Sequence, residues 1–316
     1  MLDVFIMKCF PIGMLFLSAC TLLDADVTVR QSFEYKMNLP IPGAQVPQFP
    51  FHEMSMRIKG DRAYCQTGWM TSITDASTGQ VTMLDPKTSR YATATMAEYM
   101  AALQNSVSGN AMPEQAKALL SQIKADVESH DTGRRERIQG VDAAEREIVL
   151  TLTIPVPIPG QENGLRVLVK MQVWQPGAEA AARIPWVREM TSYYNRAMDV
   201  NNPLNMMRQM FTAIPGFGGV MDKMVKEMAK GGGVALRMHV AVVMPDLANL
   251  MAQARAKDAA VPDVPASDAP MVEMNSEIRE VNTDPVPDGV LQIPASYQKV
   301  PMQDLVKGLM PAAPKQ

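Results

Sequence analysis

The sequence has 316 residues, of which 47% are hydrophobic and 20% are charged, and its formal net charge at pH 7 is −3. This composition is typical of a globular chain with one large or two small domains. The charge supplies no attraction to polyanions, so we expect no nucleic-acid partner. Aromatic residues make up 6% of the chain, whereas methionine occurs 27 times, which indicates that thioethers fill much of the apolar space.

The N-terminal segment indicates export. Residues 10–19 form an apolar run behind Lys8, the only basic residue of the segment. The run is shorter than the about 20 residues of a membrane-spanning helix, and its small flanking residues are typical of a secretory signal. We therefore expect residues 1–25 to be a signal peptide and the protein to reach the periplasm or the outer membrane. Met7 is an alternative start to Met1, because the intervening Asp3 is unusual in a signal.

Two interpretations of the end of this signal are open. Leu17–Cys20 resembles the lipobox of bacterial lipoproteins, whose cysteine is acylated and becomes the mature N-terminus. Cys20 would then be a lipid-attachment site that anchors the protein to a membrane. Cleavage near Ala25 would instead release a soluble exported protein. In both cases Cys65 is the single internal cysteine, which predicts a buried apolar thiol and no intramolecular disulfide.

Period-2 alternation of apolar and polar residues predicts a chain built mainly of antiparallel strands. The predicted strands are 27–37, 51–59, 62–74, 80–84, 89–93, 129–138, 144–156, 165–175, 234–244 and 271–281. Gly60-Asp61, Thr78-Gly79 and Asp85–Lys87 predict tight turns between the early strands.

Helical periodicity interrupts the strands in three places. Residues 96–106 form one predicted helix, and a second begins at Pro113 and continues through Val127. A methionine-rich helical block covers about 185–230. A polar loop follows at about 246–270, and residues 303–316 are predicted to be a C-terminal tail. The order of elements predicts one α+β domain over residues 26–302, with helices on the concave face of a curved antiparallel sheet.

Several short stretches together resemble an exported bacterial family of unknown function, whose fold is similar to the LolA/LolB and VioE-like lipoprotein carriers. The stretches are Asp26–Ser32, Arg57–Ala63, Ile73–Gly79, Leu84–Tyr91 and Asp288–Val300. The resemblance implies an incomplete, LolA-like barrel around a cavity for an acyl chain or another apolar ligand. It implies no catalytic residues. The methionine-rich block and the polar loop depart from the family pattern.

The candidate site consists of apolar residues that could line such a cavity. Methionine is flexible and recurs on surfaces that accept varied apolar partners, although for any single methionine ordinary core packing is the favoured interpretation. The candidate ligand-binding residues are Met54, Met56, Met207, Met210, Phe211, Met224 and Met228. The leading function is therefore a non-enzymatic envelope protein that binds lipid or another apolar small molecule.

Two alternative functions are weaker. A structural or protein-interaction role would leave an exposed apolar patch on the helical block. Copper handling would use His52 with Met54 and Met56, because thioethers and imidazole suit Cu(I), but neighbours on one strand face lie about 7 Å apart and converge poorly. We predict neither a cofactor nor a metal. Carboxylates such as Asp142 and Glu145 are expected in solvated turns, and no nucleophile with a base can be named.

Overall fold

The computed structural model describes residues 26–38, 52–68, 70–107, 122–155, 164–201, 220, 223–224, 226–227, 234–247 and 269–309. These residues form one open, curved sheet of 12 strands with helices packed on it, which confirms the predicted α+β fold. The strand order is β12-β6-β5-β4-β3-β2-β1-β11-β10-β9-β8-β7, and β12 and β7 are the two ends of the sheet. Every pairing is antiparallel except that of β12 with β6.

The strands have these bounds: β1 Val27–Met37, β2 Glu53–Lys59, β3 Arg62–Thr67, β4 Met70–Asp75, β5 Gln80–Asp85, β6 Arg90–Thr95, β7 Lys124–Ile138, β8 Val141–Ile154, β9 Leu165–Pro176, β10 Arg237–Val243, β11 Val272–Asn282 and β12 Gln298–Lys299. The helices are α1 Met96–Val107, α2 Ala178–Arg183, α3 Pro185–Asn201 and α4 Met302–Leu309, with a 3₁₀ turn at Asp288–Leu291. No helix of the described residues is long and apolar enough to cross a membrane.

Aspartates close two of the predicted hairpin turns. Asp75 Oδ1 accepts hydrogen bonds from the backbone N–H of Ser77 at 3.0 Å and of Thr78 at 3.1 Å. Asp85 Oδ1 accepts one from the backbone N–H of Lys87 at 3.0 Å. Side chains that bond the backbone two residues on stabilise a turn in this way. The meander from β4 to β6 therefore follows from the sequence.

The helix α3 covers the first strands of the sheet. Its buried residues Trp186, Val187, Met190 and Tyr193 share one core cluster with Val27, Val29, Met56 and Ile58. In the last third of the helix, Arg196 forms an ion pair with Asp61 Oδ1 at 2.6 Å and donates a hydrogen bond to the Gly60 carbonyl at 3.0 Å. The start of the predicted helical block is thus a packed helix. Helical residues 220, 223–224 and 226–227 belong to its later part.

The bounds of two predicted elements, a strand and a helix, were wrong. The strand 62–74 is divided into β3 and β4, because Gly68 adopts a positive φ of 47° and turns the chain. The helix expected to continue through Val127 instead gives way to β7, which begins at Lys124. Val127 is fully buried against Ile148 and Leu150, so packing of the strand overrides the helical spacing.

The region predicted as a C-terminal tail contains the helix α4. Leu305 is fully buried and clusters with Val81, Met83 and Ala92 of β5 and β6. The helix therefore covers one end of the apolar sheet face, so residues 303–309 of the predicted tail are helical and packed on the sheet. The core of the sheet extends to its β6 end for this reason.

A buried carboxylate joins the two halves of the β7–β8 hairpin. Glu145 is 1% exposed, and it forms an ion pair with Arg134 and accepts a hydrogen bond from Thr132 Oγ1 at 2.6 Å. The Arg134 guanidinium also lies 5.9 Å from the centre of the Trp174 ring. The expectation of a solvated turn at Glu145 was wrong, because a β-bulge between Asp131 and Arg135 lets Arg134 reach the carboxylate.

We expect Arg134→Ala to lower the free energy of unfolding by about 2 kcal/mol, because it leaves a buried carboxylate without its charged partner. Urea denaturation followed by circular dichroism measures this change. Arg135→Ala is the matched control, since Arg135 is exposed, and its effect should stay within about 0.5 kcal/mol. Equal stabilities of the two variants would show that the ion pair does not stabilise the hairpin.

Candidate functional site

Directly opposed residues of antiparallel strands place their side chains on the same face, so the register defines rows of side chains across the sheet. Three rows cross β1, β11 and β10 on the face that carries the core. The first row is Phe33, Ser276 and Met238; the second is Tyr35, Met274 and Val240; the third is Met37, Val272 and Val242. We call these nine residues the central strip. All but Ser276 are apolar or aromatic.

The central strip lies between two deeply buried regions. On β9, the rows continue into Val173 and Met171, which are 0% and 8% exposed and cluster with Met224. Toward the start of β1, four residues before Phe33, Val29 is 2% exposed in the cluster that α3 covers. The eight larger side chains of the strip are only half-buried, and of these Met238 and Val240 pack against the Met224 cluster. The apolar face is therefore buried toward β9 and at the start of β1, and more exposed over the strip.

The structure places three of the candidate residues, and they differ in exposure. Met54 is half-buried on β2 and lies opposite Gln31, next to the first row of the strip. Met56 is 7% exposed under α3, and Met224 is 6% exposed over β7–β9. Met56 and Met224 thus lie at the two margins of the strip. Cys20, Met207, Met210, Phe211 and Met228 lie outside the described residues.

Sequence reasoning did not identify the strip itself. Its residues occur in predicted strands, and their alternation assigns them to one face of each strand. Nothing in the alternation distinguishes Met274, which is half-buried, from Ile278, which is 1% exposed on the same face of β11. That distinction depends on which strands pair and on where the helices end.

The opposite face of the same strands is polar over two rows, beyond which Ala241 and Val243 of β10 are buried. Its rows are Ser32, Glu277 and Arg237, and Glu34, Asn275 and His239. They surround a shallow depression of about 190 Å³. Polar contacts hold the side chains within each row: Arg237 donates to Glu277 at 3.2 Å in the first row and also to Glu136 of β7 at 2.7 Å, and in the second row His239 Nδ1 lies 2.7 Å from Asn275 Oδ1. The apolar and polar faces confirm the strand periodicity, including the opposite orientations of Met238 and His239.

The His52 arrangement does not favour a copper site. His52 lies one residue before β2 and is exposed, whereas Met56 is buried. The Tyr194 hydroxyl donates to Met56 Sδ at 3.7 Å, so this sulfur already has a partner in the core. Within the described ranges, no group of three or more histidine, cysteine or acidic side chains could hold a metal ion.

Cys65 is half-buried and lies on the apolar face between Met56 and Ser72. Burial raises the pKa of its thiol to about 11. A thiol protonated at neutral pH is a poor nucleophile, as expected of a cysteine that serves packing. The position supports the prediction of an apolar, unreactive thiol.

No protein-family model matches this chain, and no curated protein matches it. Among solved structures, the crystal structure of a LolA superfamily protein from Nitrosomonas europaea is similar over 85% of this chain and 90% of that chain, with 9% sequence identity and a TM-score of 0.22. A TM-score this low bears on neither fold nor function, so both rest on this chain's own sheet and side chains.

We expect the folded protein to react with a maleimide at pH 8 about 100-fold more slowly at Cys65 than the urea-unfolded chain does, because little thiolate is present. The measurement uses protein in which Cys9 and Cys20 are replaced by Ser. A variant that combines Cys65→Ser with Gln66→Cys is the control, since residue 66 is exposed. Equal rates in the folded and unfolded chains would contradict the burial of Cys65.

Proposed function

We propose that this chain is an exported, non-enzymatic protein that binds lipid or another apolar small molecule against the central strip. The observation that carries the proposal is the contrast in exposure along one continuous apolar face. Side chains toward β9 and at the start of β1 are buried in clusters that contain helical residues, whereas Met274 and Met37 stay half-buried. Covering partly exposed apolar surface with an apolar ligand is favourable by about 25 cal/mol per Å² of surface removed from water.

The dimensions of the strip favour a small ligand. Three strands about 4.8 Å apart and three rows about 7 Å apart give a floor of about 10 by 14 Å. A stable protein partner needs about 800 Å² on each side, several times that area. The size argues for an alkyl chain or a fused ring system and against the alternative of a protein-interaction face at this position.

Two observations favour binding over catalysis. In the part of the chain that the structure describes, His52, His130 and His239 lie on different strands or at a strand end, and His239 is bonded to Asn275. The Cys65 thiol is held protonated by burial. A nucleophile with an adjacent base, which covalent catalysis requires, is not assembled among these side chains.

Export and anchoring are part of the same proposal. The signal-like segment of residues 1–25 would deliver the chain to the periplasm or outer membrane, where the strip could meet membrane-derived apolar molecules. Acylation of Cys20 would keep the chain at a membrane, and cleavage near Ala25 would leave it free. The mass of the mature N-terminus distinguishes these two outcomes.

We expect Met274→Lys to weaken binding of the uncharged fluorescent probe N-phenyl-1-naphthylamine about tenfold or more, because the ligand would then bury an ammonium group on the strip. Titration with fluorescence detection measures the affinity. Glu273→Lys is the matched control, since the neighbouring side chain lies on the polar face, and it should bind the probe as the unaltered protein does.

Met54→Lys provides a second test at the margin of the strip, in case Met274→Lys fails to fold. Circular dichroism verifies that each variant keeps its sheet. Saturable probe binding that is equally strong in Met274→Lys, Met54→Lys and Glu273→Lys would place the ligand elsewhere. An absence of saturable binding in the unaltered protein would reject the proposed function.

A further inference from the structure

The methionine residues of the strip are more exposed than those of the surrounding core. Met37, Met238 and Met274 are half-buried on three adjacent strands. Met171, which occupies the same row as Met274 two strands away, is 8% exposed, and Met224 above it is 6% exposed. Oxidation of methionine depends on access of the oxidant to the thioether, so these positions should react at different rates.

We propose that Met37, Met238 and Met274 form an oxidative modification site, and that peroxide converts them to sulfoxides and thereby releases the apolar ligand. This inference rests on the proposed function, because the ligand is the one assigned to the central strip. Under this inference, the level of peroxide controls ligand binding at the central strip.

The chemistry needs only a peroxide as oxidant. The thioether sulfur attacks one peroxide oxygen with its lone pair, the O–O bond breaks, an S–O bond forms, and after proton transfer water leaves. Sulfur is oxidised by two electrons and the peroxide is reduced by two. A dithiol reductase of the sulfoxide-reducing class reverses the step, forming a disulfide and water.

A sulfoxide changes what the strip can bind. Its oxygen is a strong hydrogen-bond acceptor, whereas the thioether is apolar. Met274 lies opposite Val240 and Tyr35, and Met37 lies opposite Val272. An apolar ligand over these positions would bury the new polar oxygens against hydrocarbon, and we expect its affinity to fall about tenfold or more.

The chain contains a matched control set. Met70, Met96 and Met302 are also half-buried, but they pack against the cluster beneath α4 at the β6 end of the sheet. Three variants are compared: the unaltered protein, Met37→Leu with Met238→Leu and Met274→Leu, and Met70→Leu with Met96→Leu and Met302→Leu. Binding of N-phenyl-1-naphthylamine is titrated before and after hydrogen peroxide, and each protein's untreated affinity is its own reference.

The unaltered protein and the variant at Met70, Met96 and Met302 should lose about tenfold in affinity after peroxide, whereas the variant at the strip should show no change on treatment. Peptide mass mapping should find sulfoxide at Met37, Met238 and Met274 in the proteins that lose affinity. A strip variant that loses as much as the others, or a protein with these three sulfoxides that binds as before, overturns the inference.

A second measurement needs no variant. Saturating probe should slow sulfoxide formation at the three strip positions and leave the rates at Met70, Met96 and Met302 unchanged; equal protection of both sets contradicts the assignment. Failure of the proposed function appears before any peroxide is added, as a lack of probe binding, and it would remove this inference as well. Normal binding that is insensitive to oxidation overturns the inference alone.

Discussion

The arrangement of the molecule depends on the antiparallel register across β9, β10, β11 and β1. Because side chains alternate between faces, a slip of one residue in any of these pairings would move a whole strand's apolar set to the polar face. The observed register aligns Met171, Val240, Met274 and Tyr35 in one row and Gln172, His239, Asn275 and Glu34 in the next. In the first of these rows the side chains are apolar or aromatic, and in the second they are charged, imidazole or amide groups.

Helices then divide that apolar face into regions of different exposure. The cluster beneath α3 buries the start of β1 and the end of β2, and a second cluster around Met224 buries residues of β7, β8 and β9. Polar contacts also hold the helical residues next to Met224 on the sheet, since Glu227 accepts a hydrogen bond from the Ser129 hydroxyl and its carboxylate lies 3.6 Å from the Arg146 guanidinium. The central strip lies between these two buried clusters. The binding proposal and its oxidative control both follow from this one difference in burial.

Local sequence patterns were sufficient to predict most of the sheet. β1 has the predicted bounds, and alternation located the later strands to within a few residues. The failures occurred where local and long-range effects compete. The helical stripe that ends at Val127 is a genuine 3.6-residue pattern, but the chain is a strand from Lys124, where Val127 is buried against Ile148. Glu145 carries a charge that is typical of a turn, and only the bulged β7 brings Arg134 close enough to bury it.

The candidate site was only partly predictable for a related reason. Methionine content pointed to Met54, Met56 and Met224, but content does not say which thioether a helix covers. Met54 and Met56 share one strand face, and yet only Met56 lies beneath Tyr194. Exposure is a property of the assembled sheet and its helices, whereas a single sequence shows only which residues share a face.

The central claim is that the strip holds an apolar molecule in the protein as it is made. Native mass spectrometry of the chain purified without detergent from its producing cells, with solvent extraction of the same sample, tests this most directly. The account predicts a bound mass that extraction releases as an apolar compound, and its loss in Met274→Lys but not in Glu273→Lys. A bare chain with no extractable apolar compound, or a bound mass that Met274→Lys retains, would contradict it.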